Sequence, residues 1–508
     1  MFLRQTSGGL IASPSVLASG AMLVPDHEAF LAQCAAGRPV PVFREVLADL
    51  LTPLGAYWRL AHNEPASFLL ESVTGGEQLA RYSLIGVRPR QVVRTKGQTV
   101  TVTGGDDPVS RTLAPGEDPL DVLRSLMPDA PVPVEGLPPF VGGAVGTMAY
   151  DLVRFFERLP DANPDDLDFP DLAMMLTDAV VVFDHAKNLI KIVVLAEPTE
   201  AGYHRAQVEI DRLTALLQGE MPTLPEGSGP AHPITANQTQ ADYEAAVRTM
   251  KEYIAAGDGI QMVPSLRFAT PVDAHPLTVY RCLRSLNPSP YMFLLKFEDF
   301  DVVGASPEIL VSLKGRRARV RPIAGTRWRG RNLAEDHALE LELLADEKER
   351  AEHIMLVDLG RNDLGRVCEI GSVQVKELMV VERYSHVMHI VSDVQGDLPP
   401  ELDAVDLVRS TFPAGTVSGA PKIRAMEIID EVEPTRRGLY AGAAGYLSAN
   451  GDFDAAIAIR TILIRQGIAY VQVGAGIVFD SDPTREYEEC RNKAMAALRA
   501  IELAQAGL

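Results

Sequence analysis

The order of secondary-structure patterns is the feature that most limits how this chain can fold. Strand-like and helix-like segments follow one another without the regular strand–helix alternation that builds a parallel sheet. In the first half, AVVVFD (179–184) and NLIKIVVLA (188–196) are typical of strands. An amphipathic helix is predicted from residue 241 to Gly257, which is suited to end it. Its apolar face carries Tyr243, Val247, Met250 and Ile254. The whole pattern predicts an α+β fold.

The second half of the chain has the same irregular mixture. One long helix is predicted over 333–360, and a final helix over 483–505 has Pro483 in its first turn. No internal repeat is evident. The segments predicted as strands are 301–313, 318–326, 387–394, 441–449, 455–465 and 468–480.

The chain is long for a single core, and one stretch is suited to divide it. QGEMPTLPEGSGPAHPITANQTQ (218–240) is rich in Pro, Gly, Ser and Thr and predicts a linker between regions 26–217 and 241–508. A disordered start is expected over residues 1–25, because glycines, serines and a proline break the apolar run that a signal peptide requires. No run of 18 apolar residues occurs, so no transmembrane helix is expected.

Charge and cysteine usage exclude several classes of function. The net charge of -20 argues against nucleic acid as a partner, because phosphate binding needs a basic surface. A small anionic substrate is still compatible, since it needs only local arginines. The cysteines are far apart, so neither structural zinc nor disulfides are expected, and a cytoplasmic location fits. They are Cys34, Cys282, Cys368 and Cys490.

The segment RPIAGTRWRG (321–330) has the composition of a site for a small anion. It combines Pro322, small residues, the Thr326 hydroxyl and three arginines in ten positions. One explanation is an anionic molecule that lies against the backbone. Ala324, in the middle of this segment, offers no reactive group.

Two predicted helices each carry a pair of carboxylates three residues apart. Glu349 and Glu352 form one pair, and Glu486 and Glu489 form the other. Together they could bind Mg²⁺ through oxygen, and the alternative is a solvated acidic face. Lys493 either steers a substrate carboxylate or pairs with Glu489 four residues earlier.

Three further features leave alternatives open on the residues alone. The small residues Gly474, Ala475 and Gly476 allow a ligand to approach the backbone closely, or they mark a bulge. Arg460 in an apolar strand requires a buried ion pair or a bound carboxylate. His386 and His389 point to opposite faces of a strand, so at most one serves a given site, and a structural role is equally open.

Taken together, a series of short motifs resembles the chorismate-utilising enzymes, and most closely the anthranilate synthase component I (large-subunit) family. The motifs occur in the family's order and cover essentially residues 30–500. They are LLES (69–72), RYSLIG (81–86), NPSPYMF (287–293), GASPE (304–308), PIAGTR (322–327), DEKERAEHIMLVDLGRND (346–363), RYSHVMH (383–389), SGAPK (418–422), YAGAAGY (440–446), GAGIVFDSDP (474–483) and EYEECRNKA (486–494). The resemblance implies large β-sheets flanked by helices.

The resemblance also implies a reaction. Chorismate, bound with Mg²⁺, is aminated by ammonia at ring C2 as the C4 hydroxyl leaves, and the aminodeoxyisochorismate intermediate then eliminates pyruvate to give anthranilate. Chorismate carries two carboxylates, so a metal and an arginine are suitable partners. Because hydroxide is a poor leaving group, a positioned acid is also needed.

Roles for individual residues are implied in the same way. Glu352 and Glu489 would bind Mg²⁺ with Glu349 and Glu486 nearby, Glu308 would help to expel the C4 hydroxyl, and His389 would transfer a proton in pyruvate loss. The residues implied to contact chorismate are Gly325, Thr326, Tyr440, Arg460, Gly474, Ala475 and Gly476.

Two unreactive positions favour the branch of the family that leaves the amine at C2. Relatives that make aminodeoxychorismate carry a lysine nucleophile where this chain has Ala324. Relatives that add water carry a lysine base where it has Gln261. An aminodeoxychorismate synthase that works without the lysine, and a non-catalytic tryptophan sensor, are the alternatives.

The resemblance implies two further partners. The chain has no Gly-x-Cys-x-Gly turn of a class I glutaminase, so a separate glutamine amidotransferase subunit (component II) would supply ammonia. L-tryptophan would inhibit the enzyme at a second pocket. Its implied residues are Leu70, Glu71 and Ser72, facing Pro290, Tyr291, Met292 and Phe293, with Gly445 and Tyr446 adjoining.

Overall fold

The computed structural model describes residues 22–73, 81–105, 108–225, 227, 229–384 and 387–507. Most of the predicted disordered start, and His386, lie outside the described residues. Within them, Val24 forms an isolated antiparallel bridge with Phe43.

Helices occupy eleven segments of the described chain. They are α1 His27–Cys34, α2 Pro53–Ala61, α3 Pro119–Leu126, α4 Glu200–Gln218, α5 Gln240–Ala256, α6 Pro276–Leu286, α7 Leu333–Ala345, α8 Glu347–Gly365, α9 Ala404–Thr411, α10 Lys422–Val432 and α11 Pro483–Gln505. Short 3₁₀ helices cover Tyr150–Phe155 and Gly415–Val417. The helix predicted from residue 241 is present as α5, and Gly257 ends it with a φ of 91°.

The strands of the first region are β1 Val40–Leu47, β2 Ser67–Glu71, β3 Tyr82–Val87, β4 Gln91–Lys96, β5 Thr99–Thr103, β6 Val109–Thr112, β7 Gly143–Met148, β8 Leu172–Thr177, β9 Ala179–Asp184 and β10 Leu189–Ala196. Those that follow are β11 Thr235–Ala236, β12 Gln261–Met262, β13 Ser265–Pro271, β14 Tyr291–Lys296, β15 Phe300–Ser306, β16 Ile309–Lys314, β17 Arg317–Val320, β18 Ile323–Trp328, β19 Gln374–Arg383, β20 Val387–Asp397, β21 Gly419–Ala420, β22 Ala443–Ser448, β23 Phe453–Ile457, β24 Thr461–Arg465 and β25 Ile468–Gly474.

Two large antiparallel sheets form the centre of the molecule. The first has eleven strands in the order β1-β10-β9-β3-β2-β14-β15-β24-β25-β13-β11. The second has twelve, in the order β18-β20-β17-β16-β23-β22-β7-β8-β4-β5-β6, with β19 paired to β20. One apolar cluster lies between the two sheets. A second lies between the first sheet and its helices, and a third lies between the second sheet and its helices. The architecture is therefore helix, sheet, sheet, helix.

Both sheets contain strands from both sides of the predicted linker. Helix α4 ends at Gln218 and α5 begins at Gln240, so the linker lies between two helices. Its described residues include the short strand β11, which pairs with β13. The boundaries 26–217 and 241–508 stay a prediction about domains, since the sheets themselves cross from one region to the other.

The structure reveals an internal repeat that the sequence analysis missed. The segment YSLIGVRPRQVVRTKG (82–97) and the segment FDVVGASPEILVSLKG (300–315) form the equivalent strands β3–β4 and β15–β16. They share one glycine, one proline and a closing Lys-Gly pair at the same spacing. Apolar strand residues can replace one another freely, so only these special positions retain the similarity.

Central strand pairs show that the two copies are related by an approximate twofold axis. Strand β2 pairs with β14 so that Leu69 lies opposite Leu294. The ring of Phe68 packs under Gly86 in one copy, and the ring of Phe293 packs under Gly304 in the other. Corresponding residues of the two copies therefore make the same contacts on the two sides of the β2–β14 strand pair.

Helices α3 and α9 are related in the same twofold manner and are linked by ion pairs. Their sequences, DPLDVLRS (118–125) and DAVDLVRS (403–410), both begin with a capping box. Arg124 donates to Asp403 at 2.8 Å, and Arg409 donates to Asp118 at 2.9 Å, so each helix supplies the arginine for the other helix's cap.

Four predictions of continuous elements are wrong. The single strands predicted over 301–313 and 318–326 are each two strands, β15 with β16 and β17 with β18. The helix predicted over 333–360 is two helices, because Asp346 ends α7 with non-helical angles and its side chain accepts hydrogen bonds from the first turn of α8. The strand predicted over 455–465 is also divided. Arg460 has a φ of 50° and lies between β23 and β24, which belong to different sheets.

A search of the described residues finds no helix that is long and apolar enough to cross a membrane. The four cysteines are thiols that form no disulfide among the described residues, in agreement with the expectation from their spacing.

Packing of the Phe293 ring under Gly304 gives the first testable prediction. Gly304→Ala would place a Cβ 2.0 Å from the Phe293 ring, so we expect a loss of about 1–3 kcal/mol in the free energy of unfolding. Gly365→Ala is the matched control, because that exposed glycine of α8 has no atom within 4 Å of the new methyl group. It should be neutral or stabilising by up to about 1 kcal/mol. Chemical denaturation measures both, and equal stabilities of the two variants would contradict the packing.

Candidate active site

A cavity of about 830 Å³ lies at the ends of β18, β20 and β25, between helices α8 and α11. This volume is in the range of sites for small molecules. Nearly all the residues predicted for catalysis, substrate and metal line it. They are Glu308, Gly325, Thr326, Glu349, Glu352, His389, Tyr440, Arg460, Gly474, Gly476, Glu486 and Glu489. Ala475 is the exception, since its methyl group is buried in the core.

Strand pairing brings Thr326 and His389 together. They are partners in the register of β18 and β20, after a bulge at Gly325, whose φ is 68°. His389 Nδ1 lies 3.0 Å from the Gly325 carbonyl oxygen and 3.1 Å from the Thr326 hydroxyl. A carbonyl can only accept, so Nδ1 carries a proton and Nε2 is the basic nitrogen. Burial lowers the pKa of His389, which keeps the ring neutral and able to take up a proton.

Glu308 has the environment of a general acid. It follows β15 and is buried, and desolvation raises the pKa of its carboxyl group to about 8. The Thr416 hydroxyl and the Lys493 charge oppose this shift but do not overcome it. The Glu308 side chain is therefore protonated at neutral pH, as an acid that assists a poor leaving group must be.

The four carboxylates of α8 and α11 line the same cavity. Burial first, and then the adjacent Glu352, raise the pKa of Glu349; burial and Glu489 do the same for Glu486. Each carboxylate pair has one partly compensating cation: Arg327 of β18 lies 3.5 Å from Glu349, and Lys493 of α11 lies 2.7 Å from Glu489. Crowded carboxylates with raised pKa values and all-oxygen donors fit a hard divalent cation such as Mg²⁺.

Lys493 forms the ion pair with Glu489 that was one of its two predicted roles. It pairs with Glu489 and also donates to the Gly474 carbonyl oxygen at 2.9 Å. It therefore joins α11 to the end of β25, beside the cavity.

Two glycines at the end of β25 are required by close neighbours. A Cβ at position 474 would lie 2.6 Å from the Tyr440 hydroxyl, and one at position 476 would lie 2.4 Å from Gln261 Nε2. Gln261 itself donates to Glu352 at 3.0 Å. The small residues thus allow Tyr440 and Gln261 to approach the cavity wall, and Gln261 orients a predicted metal ligand.

The structure removes one of the two alternatives for Arg460, the ion pair with a protein carboxylate. No described carboxylate lies within ion-pair distance of its guanidinium group, which lines the cavity and is half-buried. Desolvation lowers the pKa of Arg460, although the group stays charged. A half-buried cation without a protein partner favours an anionic ligand.

The arginines of RPIAGTRWRG do not form the predicted anion site. Arg321 pairs with Glu382, Arg329 with Asp336, and Arg327 with Glu342, Asp346 and Glu349. None of the three lines the cavity, because the acidic residues of α7, α8 and β19 neutralise them. The small residues Ala324 and Gly325 do line it, so the backbone of this segment forms the wall while Arg460 supplies the positive charge.

The residues predicted for tryptophan lie on two faces of the first sheet. Leu70, Tyr291 and Phe293 face the space between the sheets, with Tyr446 opposite. Glu71 and Met292 face the helices instead. They cannot therefore form a single bed with the first group. Pro290 borders the active-site cavity, and Ser72 follows directly after β2.

The charged group predicted for the tryptophan ammonium already has partners. The Glu71 carboxylate accepts from the Tyr280 hydroxyl at 2.6 Å and pairs with Arg284 at 3.2 Å. A carboxyl group that the sequence did not suggest, Asp454, is buried near Tyr291 and has one oxygen without a partner. Burial raises its pKa to about 7.

Sequence reasoning missed Thr416, and it missed the contact that Gln261 makes with a predicted metal ligand. Thr416 lies beside Glu308, and its position two residues before SGAPK could have suggested it. The hydrogen bond from Gln261 to Glu352 joins residues 91 positions apart, so no local pattern could have revealed it.

Known proteins with the same sequence pattern identify the family. The model of the family described as chorismate binding enzyme matches residues 65–499. Anthranilate synthase component 1 of Pseudomonas aeruginosa is 49% identical to this chain over 94% of it and 99% of the relative. The protein of that name from Thermus thermophilus is also 49% identical, over 92% and 99%.

Solved structures agree with this match. Anthranilate synthase component I from Streptococcus pneumoniae aligns with a TM-score of 0.76 at 39% identity, covering 89% of this chain and 99% of that one. The menaquinone-specific isochorismate synthase from Escherichia coli aligns with a TM-score of 0.66 at 19% identity, over 94% and 98%, which shows a shared fold. The chain belongs to the chorismate-utilising enzyme family, and within it to the anthranilate synthase component 1 group, so it is an enzyme. The predicted α+β fold with large sheets is confirmed.

The raised pKa of Glu308 predicts the pH dependence of activity. The acid must be protonated, so kcat/KM for chorismate should be high below pH 8 and fall as pH rises through about 8. Assays should hold the concentration of free ammonia constant, because it increases with pH. Glu308→Gln should lose most activity and this alkaline limb together. A wild-type profile that stays flat above pH 8 would contradict the assignment.

Proposed function

We propose that the enzyme converts chorismate and ammonia to anthranilate, pyruvate and water, with Mg²⁺ as its cofactor. The observation that carries the proposal is the combination of charges in one cavity. A protonated carboxyl group (Glu308), a guanidinium group with no ion-pair partner in the described part of the chain (Arg460) and four carboxylates line the same space. Chorismate has two carboxylates and a hydroxyl leaving group, which match this set. The similarity to anthranilate synthase component 1 supports the same reaction.

The residues of the chain suggest a division of labour. Arg460 would hold one substrate carboxylate bidentately, and Mg²⁺ bound at Glu352 and Glu489 would neutralise the other. Glu308 would give its proton to the departing C4 hydroxyl, which leaves as water while ammonia bonds to C2. Nε2 of His389 would then accept the C2 proton as the enolpyruvyl C–O bond breaks. Tyr440 and the Gly474–Gly476 backbone line the space for the side chain.

Product analysis separates this function from its nearest alternative. Chorismate, ammonium and Mg²⁺ should yield a fluorescent product with the mass of anthranilate, without any second enzyme. An aminodeoxychorismate synthase would instead give a product that persists until a lyase is added. The absence of any turnover under these conditions would favour a non-catalytic sensor.

A partner subunit is part of the proposal. The name component 1 of the relatives implies a second component, and we propose a glutamine amidotransferase that supplies ammonia. The chain alone should use ammonium but not glutamine, and addition of the partner should confer glutamine-dependent activity. Turnover of glutamine by the isolated chain would contradict this division.

Position 324 gives a prediction about the site of amination. Ala324 lines the cavity on the PIAGTR strand, so Ala324→Lys should place an amine where it competes with ammonia for C2. Anthranilate production should fall strongly, and mass spectrometry should detect an adduct on the protein. Ala324→Met has similar length and no amine, and should give no adduct. Wild-type anthranilate turnover by the lysine variant would refute this account of position 324.

Metal binding gives another prediction. Glu352→Gln and Glu489→Gln should each abolish turnover and weaken Mg²⁺ binding. The thermal stability should change little, because solvent-accessible carboxylates contribute about 0–1 kcal/mol. Glu488→Gln is a matched control, since this exposed neighbour on α11 does not line the cavity. Activity of either ligand variant at ordinary Mg²⁺ concentrations would remove that residue from the metal site.

Feedback inhibition by L-tryptophan is the last part of the proposal. Of the residues predicted for tryptophan, Leu70, Tyr291 and Phe293 lie between the sheets, where aromatic and apolar side chains could pack on an indole ring. Because Glu71 is already paired, the buried carboxyl group of Asp454 is the better candidate for the tryptophan ammonium. Such binding would couple strands of both halves and could change chorismate affinity by about 1–3 kcal/mol.

Ser72 provides the test of this pocket. Ser72→Phe should raise the tryptophan concentration needed for half-inhibition at least about tenfold, a change of about 1.4 kcal/mol, while uninhibited turnover stays nearly constant. Inhibition curves at one fixed chorismate concentration measure the effect. Superimposable curves for wild type and variant would place the tryptophan site elsewhere or exclude it.

A further inference from the structure

Three potential metal ligands meet far from the active-site cavity. His27 is the first residue of α1, and Glu200 and His204 lie four residues apart on one face of α4. One ligand atom from each of the three lies within 4.8 Å of the others, and none of these residues lines the cavity. The cluster thus joins the first helix of the described chain to α4.

The His27 ring carries a nitrogen that the protein leaves unused. Its Nε2 is buried from solvent and has no hydrogen-bond partner among the described residues. The nearest carboxylate oxygen, Glu200 Oε1, is 3.8 Å away, which is too far for a hydrogen bond but close enough to share an ion. The His27 and His204 rings are 5.8 Å apart and inclined by only 27°. A buried polar atom without a partner requires an explanation, and a bound cation supplies one.

We propose that His27, Glu200 and His204 bind a divalent transition-metal ion, with Zn²⁺ as the best match. Two imidazole nitrogens and one carboxylate oxygen are typical zinc ligands, and a water molecule would complete the tetrahedron. Imidazole ligands also separate this site from the all-oxygen carboxylate cluster, which suits Mg²⁺. Ligand atoms in a tetrahedral zinc site are about 3.4 Å apart, so the exposed side chains need to move inward by about 1 Å.

The role of such an ion would be to attach α1. This helix has eight residues, and Phe30 is its only fully buried side chain, packed on Tyr203 of α4 with ring centroids 5.0 Å apart. A metal bridge would therefore add a second attachment between α1 and α4. Binding to the folded protein alone would raise its stability by mass action.

Zinc titration of the full chain tests the proposal. A chromophoric chelator should compete for Zn²⁺ in saturating Mg²⁺, on a Glu352→Gln background that disables the other candidate metal site. We expect His27→Gln and His204→Gln each to weaken the tightest Zn²⁺ equivalent at least about tenfold. His337→Gln is the matched control, because this exposed histidine contacts one carboxylate, Glu340, at 3.1 Å and belongs to no such cluster. It should bind Zn²⁺ like the parent.

A stability measurement provides an independent readout. Zn²⁺ should raise the unfolding temperature of the parent and of His337→Gln, but not that of His204→Gln or Glu200→Gln. Glu200 and His204 are exposed, so both variants should fold, which circular dichroism verifies. Equal zinc affinity in the parent and in both histidine variants would mean adventitious binding only and would overturn the proposal. Loss of binding in the control variant would overturn it as well.

Discussion

Antiparallel pairing between the two regions of the chain that contain the internal repeat is the contact on which the rest of the molecule depends. Strand β2 meets β14 in the first sheet, and β7 meets β22 in the second, where Gly146 lies opposite Gly445. Without these pairs each sheet would divide into two smaller sheets, and each of these would have an edge strand with unpaired backbone groups. The pairs therefore make one body from two regions of sequence, and the helices of each region cover the sheets that both regions share.

Only one of the two copies lines the active-site cavity. GASPE (304–308) ends in Glu308, whereas the equivalent GVRPR (86–90) ends in Arg90, which pairs with Asp178 at 3.7 Å and donates to the Leu126 carbonyl oxygen. An arginine held in this way cannot act as an acid. The carboxylate helices α8 and α11 also belong to the second region. The two copies have approximately the same strand arrangement, and differences between them at a few positions give a single site.

Much of this arrangement could be predicted from the sequence, and the failures have physical reasons. Periodicity located α5 and α11, because apolar spacing along one helix is local information. Periodicity predicted α7 and α8 as one helix, because the capping role of Asp346 can be recognised only from its backbone angles. Spacing singled out the carboxylate pairs and apolar context singled out Arg460, whereas the roles of Glu308 and Tyr440 were implied only by the family resemblance. The residues alone left open whether Arg460 has a protein partner, and they did not show that acidic residues distant in sequence neutralise Arg321 and Arg327. The repeat was hidden because apolar exchange had removed all but its glycines, its proline and its ionic caps.

The central claim is that burial keeps the Glu308 carboxyl group neutral at pH 7 in the cavity that the proposed metal ligands Glu352 and Glu489 also line. Infrared difference spectroscopy between the wild type and Glu308→Gln measures this protonation state directly, because a protonated carboxyl group has a C=O stretching band that a carboxylate lacks. The account predicts such a band at pH 7 that disappears as pH rises through about 8. A difference spectrum at pH 7 that contains only carboxylate bands would contradict it.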